Sequence, residues 1–359
     1  MMTTTTTPFA LTLARRVAGL RLFGADASSV AGLAYRQHGE PKDVLSLEHL
    51  ERKPLVEERS VRVEVMASSV NPADLNTIEG KYPLKPPLAE DGIAVGGSEG
   101  VGKVVEAGSG VGSLNVGDIV VPVKANCGLW ATEVTGREED FQIAIGRDQA
   151  QALQKEAITR LGSLSVCYST AFQLLAPAQP GDVVIQNGAS GAVGQAVIQI
   201  AKERQVRTIN VVRDPHKEDY LRELGGDIVT SDLAKLKTIC AELPAPKLAL
   251  NCVGGESSAA IAKRLASKGH LVTYGGMARE PVVLPTPLLI FKGITSSGFW
   301  LSGQFYPESD HRQRQEMIDY LVGLVLAGKL GVRTKTLDFR GEALEAFRRE
   351  HQGKVVFTM

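Results

Sequence analysis

The chain is short of the residues that build metal and disulfide scaffolds. Its 359 residues hold four cysteines, Cys127, Cys167, Cys240 and Cys252, with no C-x-x-C pair and no clustering with the six histidines. That spacing argues against zinc ribbons and disulfide frameworks. No apolar run reaches the ~18 residues that a membrane-spanning helix needs. Charge is also missing as a signal, because 40 Lys and Arg balance 40 Asp and Glu. Without a global field, nothing favours nucleic acid or an anionic membrane as partner. Acidic residues are absent altogether from Met1 to Ala25, where Arg15, Arg16 and Arg21 sit among threonines, alanines and leucines. Arg-rich, hydroxyl-rich and acid-free is the pattern of an organellar transit peptide, which mitochondria and plastids share. Reduced, scattered thiols suit a reducing compartment such as the mitochondrial matrix.

What remains is an ordinary globular composition, 43% hydrophobic and 22% charged, on a length that suits two domains. Glycine stands out at 37 residues, above the ~7% that is typical, as expected of tight turns or of backbone brought close to a ligand. From Ala31 to about Gly146, β-type runs (Val61–Val70, Val101–Ala107, Asp118–Val123, Phe141–Ile145) are separated by Asn71-Pro72, Pro86-Pro87 and Gly108-Ser109-Gly110. A sheet or distorted barrel without long helices follows. After Gln151 the rhythm becomes β-α, with strands at Asp182–Asn187, Thr208–Arg213, Asp227–Thr230, Leu248–Val253, His270–Gly275 and Ile294–Leu301. Helical patterns lie between them, so the reading is a doubly wound, six-stranded parallel sheet. Gln313–Ala327 reads as a helix, and Lys335–Met359 returns to the first domain.

The turn Gly188-Ala189-Ser190-Gly191-Ala192-Val193-Gly194 carries G-x-x-G-x-x-G between a strand and a helix. In that context the glycines let a dinucleotide pyrophosphate approach a helix N-terminus, where unpaired amides favour an anion. NAD binders place Asp or Glu about 20 residues further on to hold the ribose 2′-OH. Here Arg213 stands there, followed by Asp214 and Pro215. A guanidinium fork suits the 2′-phosphate of NADPH, although a solvated arginine at a strand end would look the same.

These features resemble the medium-chain dehydrogenase/reductase superfamily, through the GASGAVG turn, the stretch Gly96–Val111 and the V-G-D of Val116–Asp118. More specific strings resemble the mitochondrial 2-enoyl thioester reductases within it: NPADLN (Asn71–Asn76), EGKYPLKP (Glu79–Pro86), RTINVVRD (Arg207–Asp214), LALNCVGG (Leu248–Gly255), VTYGGMA (Val272–Ala278), LLIFK (Leu288–Lys292) and GFWLS (Gly298–Ser302). The resemblance runs from about Ala31 to Met359. It implies an α/β fold, a Rossmann domain (165–309) set into a GroES-like β-rich substrate domain (26–164 and 310–359) behind a transit peptide (1–25). It implies NADPH-dependent reduction of trans-2-enoyl thioesters, on acyl carrier protein or CoA, in mitochondrial fatty-acid synthesis, by a homodimer.

The resemblance also implies site residues. Tyr82 matches the family's catalytic tyrosine, the proton donor to Cα once hydride has reached Cβ. Ser190, Gly191, Ala192, Val193, Arg213, Asp214, Pro215, Tyr274, Gly275, Gly276, Met277, Phe299, Trp300, Leu301 and Lys354 match cofactor contacts, and Trp300 also lines the acyl pocket. Cys167 stands where family members carry an asparagine near the nicotinamide, so that contact falls to Cys167, Ser169 or Thr170. Zinc-using relatives carry a cysteine near the N-P-A-D position and a histidine in a G-H-E turn. This chain has Asn71-Pro72-Ala73-Asp74 and Gly97-Ser98-Glu99, so no metal is expected. A zinc-free quinone oxidoreductase shares the turn and Arg213 but lacks the tyrosine context. From another class, a silent NADPH-binding protein is kept open by Cys167. Should Tyr82 not be the donor, Tyr168 is the next residue to examine.

Overall fold

The computed structural model describes residues 29–86, 92–241, 243–349 and 351–359. The transit-peptide reading for 1–25 therefore lies outside the described residues. The strands are β1 (Ser29–Tyr35), β2 (Ser46–Glu51), β3 (Ser60–Ser69), β4 (Ala94–Val95), β5 (Gly100–Ala107), β6 (Ile119–Pro122), β7 (Glu133–Arg137), β8 (Phe141–Ile145), β9 (Val183–Gln186), β10 (Arg207–Val211), β11 (Ile228–Thr230), β12 (Leu248–Asn251), β13 (His270–Thr273), β14 (Thr295–Gly298), β15 (Thr334–Asp338) and β16 (Lys354–Thr358). Four helices matter below: α1 (Pro72–Ile78), α2 (Ser169–Leu174), α3 (Ala192–Glu203) and α4 (His311–Leu326).

Six strands form one parallel sheet in the order β11-β10-β9-β12-β13-β14. The central strands read Val-Val-Ile-Gln and Leu-Ala-Leu-Asn and are buried on both faces, the condition that favours continuous apolar runs over alternation. Chain order reverses between β9 and β12, so the crevice at the carboxyl ends of those strands is where such sheets bind ligands. The buried amides there are paired to one another. Gln186 Nε2 donates to Asn210 Oδ1 at 2.8 Å, and Asn187 Nδ2 donates to Asn251 Oδ1 at 2.8 Å.

A second sheet runs β15-β16-β3-β5-β6-β8, with β7 also paired to β3, and a small sheet β2-β1-β4 stands beside it. The returning C-terminal segment contributes β16, antiparallel to β3 through Phe357↔Ser68 and parallel to β15. Trp130, fully buried, donates its indole N–H to Ser69 O at 3.0 Å and packs against a tilted Phe347 ring and edge to face with Phe357. One apolar cluster crosses between the two large sheets, drawing in Val101, Val121, Val184, Leu250, Leu321 and Val325.

The expected strands are present, whereas the helix read from Ser257 to Ser267 runs Gly255–Ala262 and that read from Gln313 to Ala327 runs His311–Leu326. Asn71-Pro72, read as loop, instead opens a helix. Proline is favoured at the first helical position, and the Asp74 carboxylate reaches back to the Asn71 backbone N–H at 2.9 Å. The helix Thr286–Lys292 has no periodic signal in the sequence, because its Leu-Leu-Ile-Phe run is uninterrupted by polar residues.

Tyr168 sits in the shared core with 0% exposure, and its hydroxyl has no hydrogen-bond partner among the described residues. Burial pushes its phenol well above the ordinary range. The residue held in reserve as a proton donor therefore packs in the shared core. An unpartnered buried hydroxyl costs about 1–3 kcal/mol. Tyr168→Phe is expected to keep or raise the melting temperature. A drop of several degrees would mean that the hydroxyl has a partner that matters.

Candidate active site

The parallel sheet brings most of the expected cofactor residues to one edge. The turn after β9 passes through Gly188, at φ 61°, where an added Cβ would come within 2.4 Å of Cys252 Sγ. A Cβ at Gly194 would lie 2.6 Å from Ala189 O, so α3 can start this close to the turn only on glycine. The amides of Ala192 and Val193 open α3 with no carbonyl behind them, which is the cradle a pyrophosphate needs. Gln195 Nε2 holds the Ser190 carbonyl at 2.8 Å. Arg213 is exposed, two residues past β10. Asp214 spends its carboxylate on the His216 N–H at 3.0 Å, with Pro215 opening the turn between them. From β13, the Tyr274 N–H donates to Asn251 O and that of Met277 to Cys252 O, which fixes Gly275 and Gly276 over the crevice. Phe299 is tied to Thr273 O at 2.9 Å, leading into Trp300 and the buried Leu301.

Tyr82 arrives from the other sheet. The N–H groups of Lys81 and Tyr82 both donate to Asn76 O at the end of α1, and Asn126 Nδ2 holds Leu84 O at 3.3 Å. Trp300 Nε1 donates to the Tyr82 hydroxyl at 2.7 Å, with the two rings edge to face at 85° and 5.9 Å apart. An indole N–H is only a donor, so the Tyr82 oxygen must accept here, and its own proton remains available to a third group. A cavity of about 540 Å³ is lined by Leu84, Lys85 and Ser302, close in sequence to the pair, with Lys124, Tyr306 and Arg314 among others. Both flanking segments take a widened turn with i→i−5 bonds, Tyr168 N–H to Ser163 O and Phe305 N–H to Trp300 O. Such π-turns are frequent at functional sites.

Beneath these groups lies a charged cluster that the sequence reading did not anticipate. Lys354 Nζ is 3.0 Å from Glu99 Oε2 and donates to Asn71 Oδ1 at 2.6 Å, with side-chain exposures of 5% for the lysine and 0% for the glutamate. Asn71 Nδ2 donates to Glu99 Oε2 at 3.0 Å, and Glu99 Oε1 accepts the backbone N–H of Val166 at 2.7 Å and of Cys167 at 2.6 Å. Burial alone would push the Lys354 ammonium down. The negative charge of Glu99 and its neighbours outweighs that, so the net shift is upward. Asp74, buried beside them and bonded to the Asn71 and Ser98 N–H groups, is raised by burial to about 6. The Cys167 thiol is pushed by burial to about 12 and stays protonated. Cys167 thus enters the site through its amide, bound to Glu99. Ser169 spends its hydroxyl on Leu164 O at 2.9 Å, and Thr170 lies beside it.

Removing one partner of a buried pair leaves the other charged and unpaired, at a cost of about 3–5 kcal/mol. Glu99→Ala is expected to lose that much in a denaturant titration. A loss below about 1 kcal/mol would show that water reaches Lys354 and that the pair behaves as a surface bridge.

Two family models match the chain, the alcohol dehydrogenase GroES-like domain over residues 57–167 and the zinc-binding dehydrogenase over residues 192–321. A zinc ion does not fit the residues present. Asn71 and Ser98 offer neither thiolate nor imidazole, and an ammonium already lies between Asn71 and Glu99. Mouse mitochondrial enoyl-acyl-carrier-protein reductase is 43% identical over 317 residues, 85% of this chain and 81% of that protein. A solved complex of Etr1p with NADP and crotonyl-CoA is 32% identical, with a TM-score of 0.81 over 92% of this chain and 100% of that one. The Etr1p/Etr2p heterodimer, a mitochondrial 2-enoyl thioester reductase from Candida tropicalis, matches at the same identity and coverage. On this geometry and these likenesses, the chain belongs to the mitochondrial enoyl-acyl-carrier-protein reductase family of medium-chain dehydrogenases/reductases.

Proposed function

We propose that this chain reduces trans-2-enoyl thioesters to saturated acyl thioesters in mitochondrial fatty-acid synthesis, with Tyr82 supplying the proton. The observation that carries the assignment of the donor is the 2.7 Å bond from Trp300 Nε1 to the Tyr82 hydroxyl. It occupies an acceptor position on the oxygen and leaves the phenolic proton to be given. NADPH, when bound, supplies the hydride to Cβ of the conjugated double bond. Ser190, Gly191, Ala192 and Val193 would hold its pyrophosphate on the start of α3, and Arg213 its 2′-phosphate. Tyr274 to Met277, Phe299 to Leu301, Cys167 and Lys354 would line its nicotinamide half. Tyr82 then protonates Cα, directly or through one water, as charge builds on the thioester oxygen.

The cavity between the Tyr82 loop and Ser302 offers the thioester arm a way in. We take acyl carrier protein as the carrier alongside CoA, and residues 165–309 as the nucleotide domain between 26–164 and 310–359. A homodimer joined through those domains is supported by β14, whose four residues are all exposed at the sheet edge. It is also supported by the neighbouring helix, where Ile290 and Phe291 are 66% and 81% exposed. An open edge and a bare apolar face ask to be covered. Residues 1–25 are assigned as the transit peptide. No described helix is long and apolar enough to cross a membrane.

Loss of a general acid typically costs 10²–10⁴-fold in rate. Tyr82→Phe keeps the ring against Trp300, so folding and NADPH affinity should survive while kcat on crotonyl-CoA falls into roughly that range. Retention of most of the wild-type kcat, with chemistry rate-limiting, would place the donor elsewhere.

Arg213→Ala tests the cofactor choice separately. A charged hydrogen bond is worth ~1.5–3 kcal/mol, so preference for NADPH over NADH should drop roughly 10–150-fold. Equal weakening of both cofactors would leave Arg213 a structural role only.

A further inference from the structure

One basic side chain beside the dinucleotide turn has no task in this reading. Arg333 immediately precedes β15, in the segment that returns to the seven-stranded sheet. Its backbone N–H donates to Gln195 Oε1 at 3.0 Å. Gln195 lies in the first turn of α3 and holds the Ser190 carbonyl through its own amide at 2.8 Å. The Tyr220 hydroxyl donates to the same Gln195 Oε1 at 2.9 Å. On its other side the Arg333 carbonyl accepts the Lys354 N–H at 2.8 Å. Arg333 is therefore two hydrogen bonds from the turn assigned to the pyrophosphate, and it borders the helix that follows Arg213.

The guanidinium itself lies over the Tyr220 ring, 4.4 Å from its centre, and is exposed. Among the described residues it has no carboxylate within ion-pair distance, whereas Arg36, Arg52, Arg59, Arg160 and Arg222 each have one. Stacking occupies only a face of the guanidinium. Its N–H donors radiate in the plane and stay free. A planar cation held by an aromatic ring with its donors unspent is suited to a phosphate, which takes a guanidinium in a two-pronged, charge-assisted contact.

We propose that Arg333 is a second phosphate-binding cation of the dinucleotide site, reaching in from the returning segment and oriented by Tyr220. The proposal rests on the NADPH reading above and adds a contact which that reading does not contain. Because Arg333 belongs to the strand system of the other sheet, the contact makes cofactor binding sense the docking of the two sheets. Its phosphate is either the adenosine 2′-phosphate or the diphosphate, which share this chemistry.

The test is equilibrium binding of NADPH, NADH and 2′,5′-ADP to the full chain, for wild type, Arg333→Ala and Arg333→Lys, across a salt series. Arg333→Ala is expected to weaken NADPH about tenfold or more, with a shallower salt dependence and an unchanged melting temperature. Arg333→Lys, which keeps the charge but not the fork, should fall between the two. A loss shared by NADH identifies the diphosphate, and a loss confined to NADPH and 2′,5′-ADP identifies the 2′-phosphate; both support the proposal. If Arg333→Ala destabilises the fold, Arg333→Lys decides: it must weaken NADPH at an unchanged melting temperature, and wild-type affinity for NADPH overturns the proposal. Wild-type affinities and salt dependence in both variants overturn it while leaving the NADPH reading intact. A wild-type chain that binds no NADPH overturns the reading itself.

Discussion

Two opposite charges, both shut away from water, hold this architecture together where its chemistry takes place. The Glu99–Lys354 pair joins four segments distant in sequence: the start of α1 through Asn71, the loop before β5 through Glu99, the entry to α2 through the amides of Val166 and Cys167, and the last strand through Lys354. Burying an ion pair is costly unless nearly every donor and acceptor finds a partner. Here both carboxylate oxygens are engaged, one by two amides and the other by Lys354 and Asn71. The resemblance to zinc-using members of the superfamily puts a ligand cysteine near Asn71-Pro72-Ala73-Asp74 and a ligand histidine in the turn that here reads Gly97-Ser98-Glu99. In this chain the positive charge between Asn71 and Glu99 is covalently part of the C-terminal strand, so the locality keeps a cation without offering a Lewis acid. A conjugated alkene can be reduced on such a site, because it needs a hydride and a proton rather than a polarised carbonyl bound to metal.

Much of the fold is legible in the sequence because its signals are local. The β-α rhythm after Gln151, the glycine turn and the return of 335–359 follow from periodicity and turn chemistry, and the six strands lie where those signals put them. What escapes is what depends on tertiary neighbours. Thr286–Lys292 is apolar on all sides and has no period to read. Asn71-Pro72 is a turn dipeptide by composition and a helix start by virtue of Asp74 three residues on, a capping signal that was present in the letters. Tyr168 carries the same phenol as Tyr82, and nothing in its neighbours Cys167 and Ser169 marks it as core. Only the packing of its own turn, Leu164–Tyr168, against α3 and α4 does so.

The candidate site divides in the same way. Tyr82 and Trp300 are separated by more than half the chain, and each was found by its motif, but their shared hydrogen bond has no sequence signature. Glu99 was visible only as the last letter of a triplet lacking its histidine. Cys167 was legible as a departure from the family asparagine. Its backbone N–H is spent on Glu99, a contact that does not depend on the side chain.

These interactions form one causal chain. Trp300 follows the outermost strand of the parallel sheet, and Tyr82 hangs from α1, whose first turn is held by Asp74 and whose cap residue Asn71 is gripped by Lys354 and Glu99. The Tyr82 hydroxyl is oriented only when the two sheets dock in register, since its acceptor position is filled by a donor from the opposite side. Docking is in turn set by the shared apolar core and by the amides of Val166 and Cys167, in the turn that leads into α2 and on to the parallel sheet. The apolar core resists separation but specifies register weakly, because hydrophobic contact is not directional. The buried pair is directional, and misplacing it would strand a charge. Orientation of the Tyr82 hydroxyl is therefore enforced from below, through the buried ion pair that grips the cap of α1.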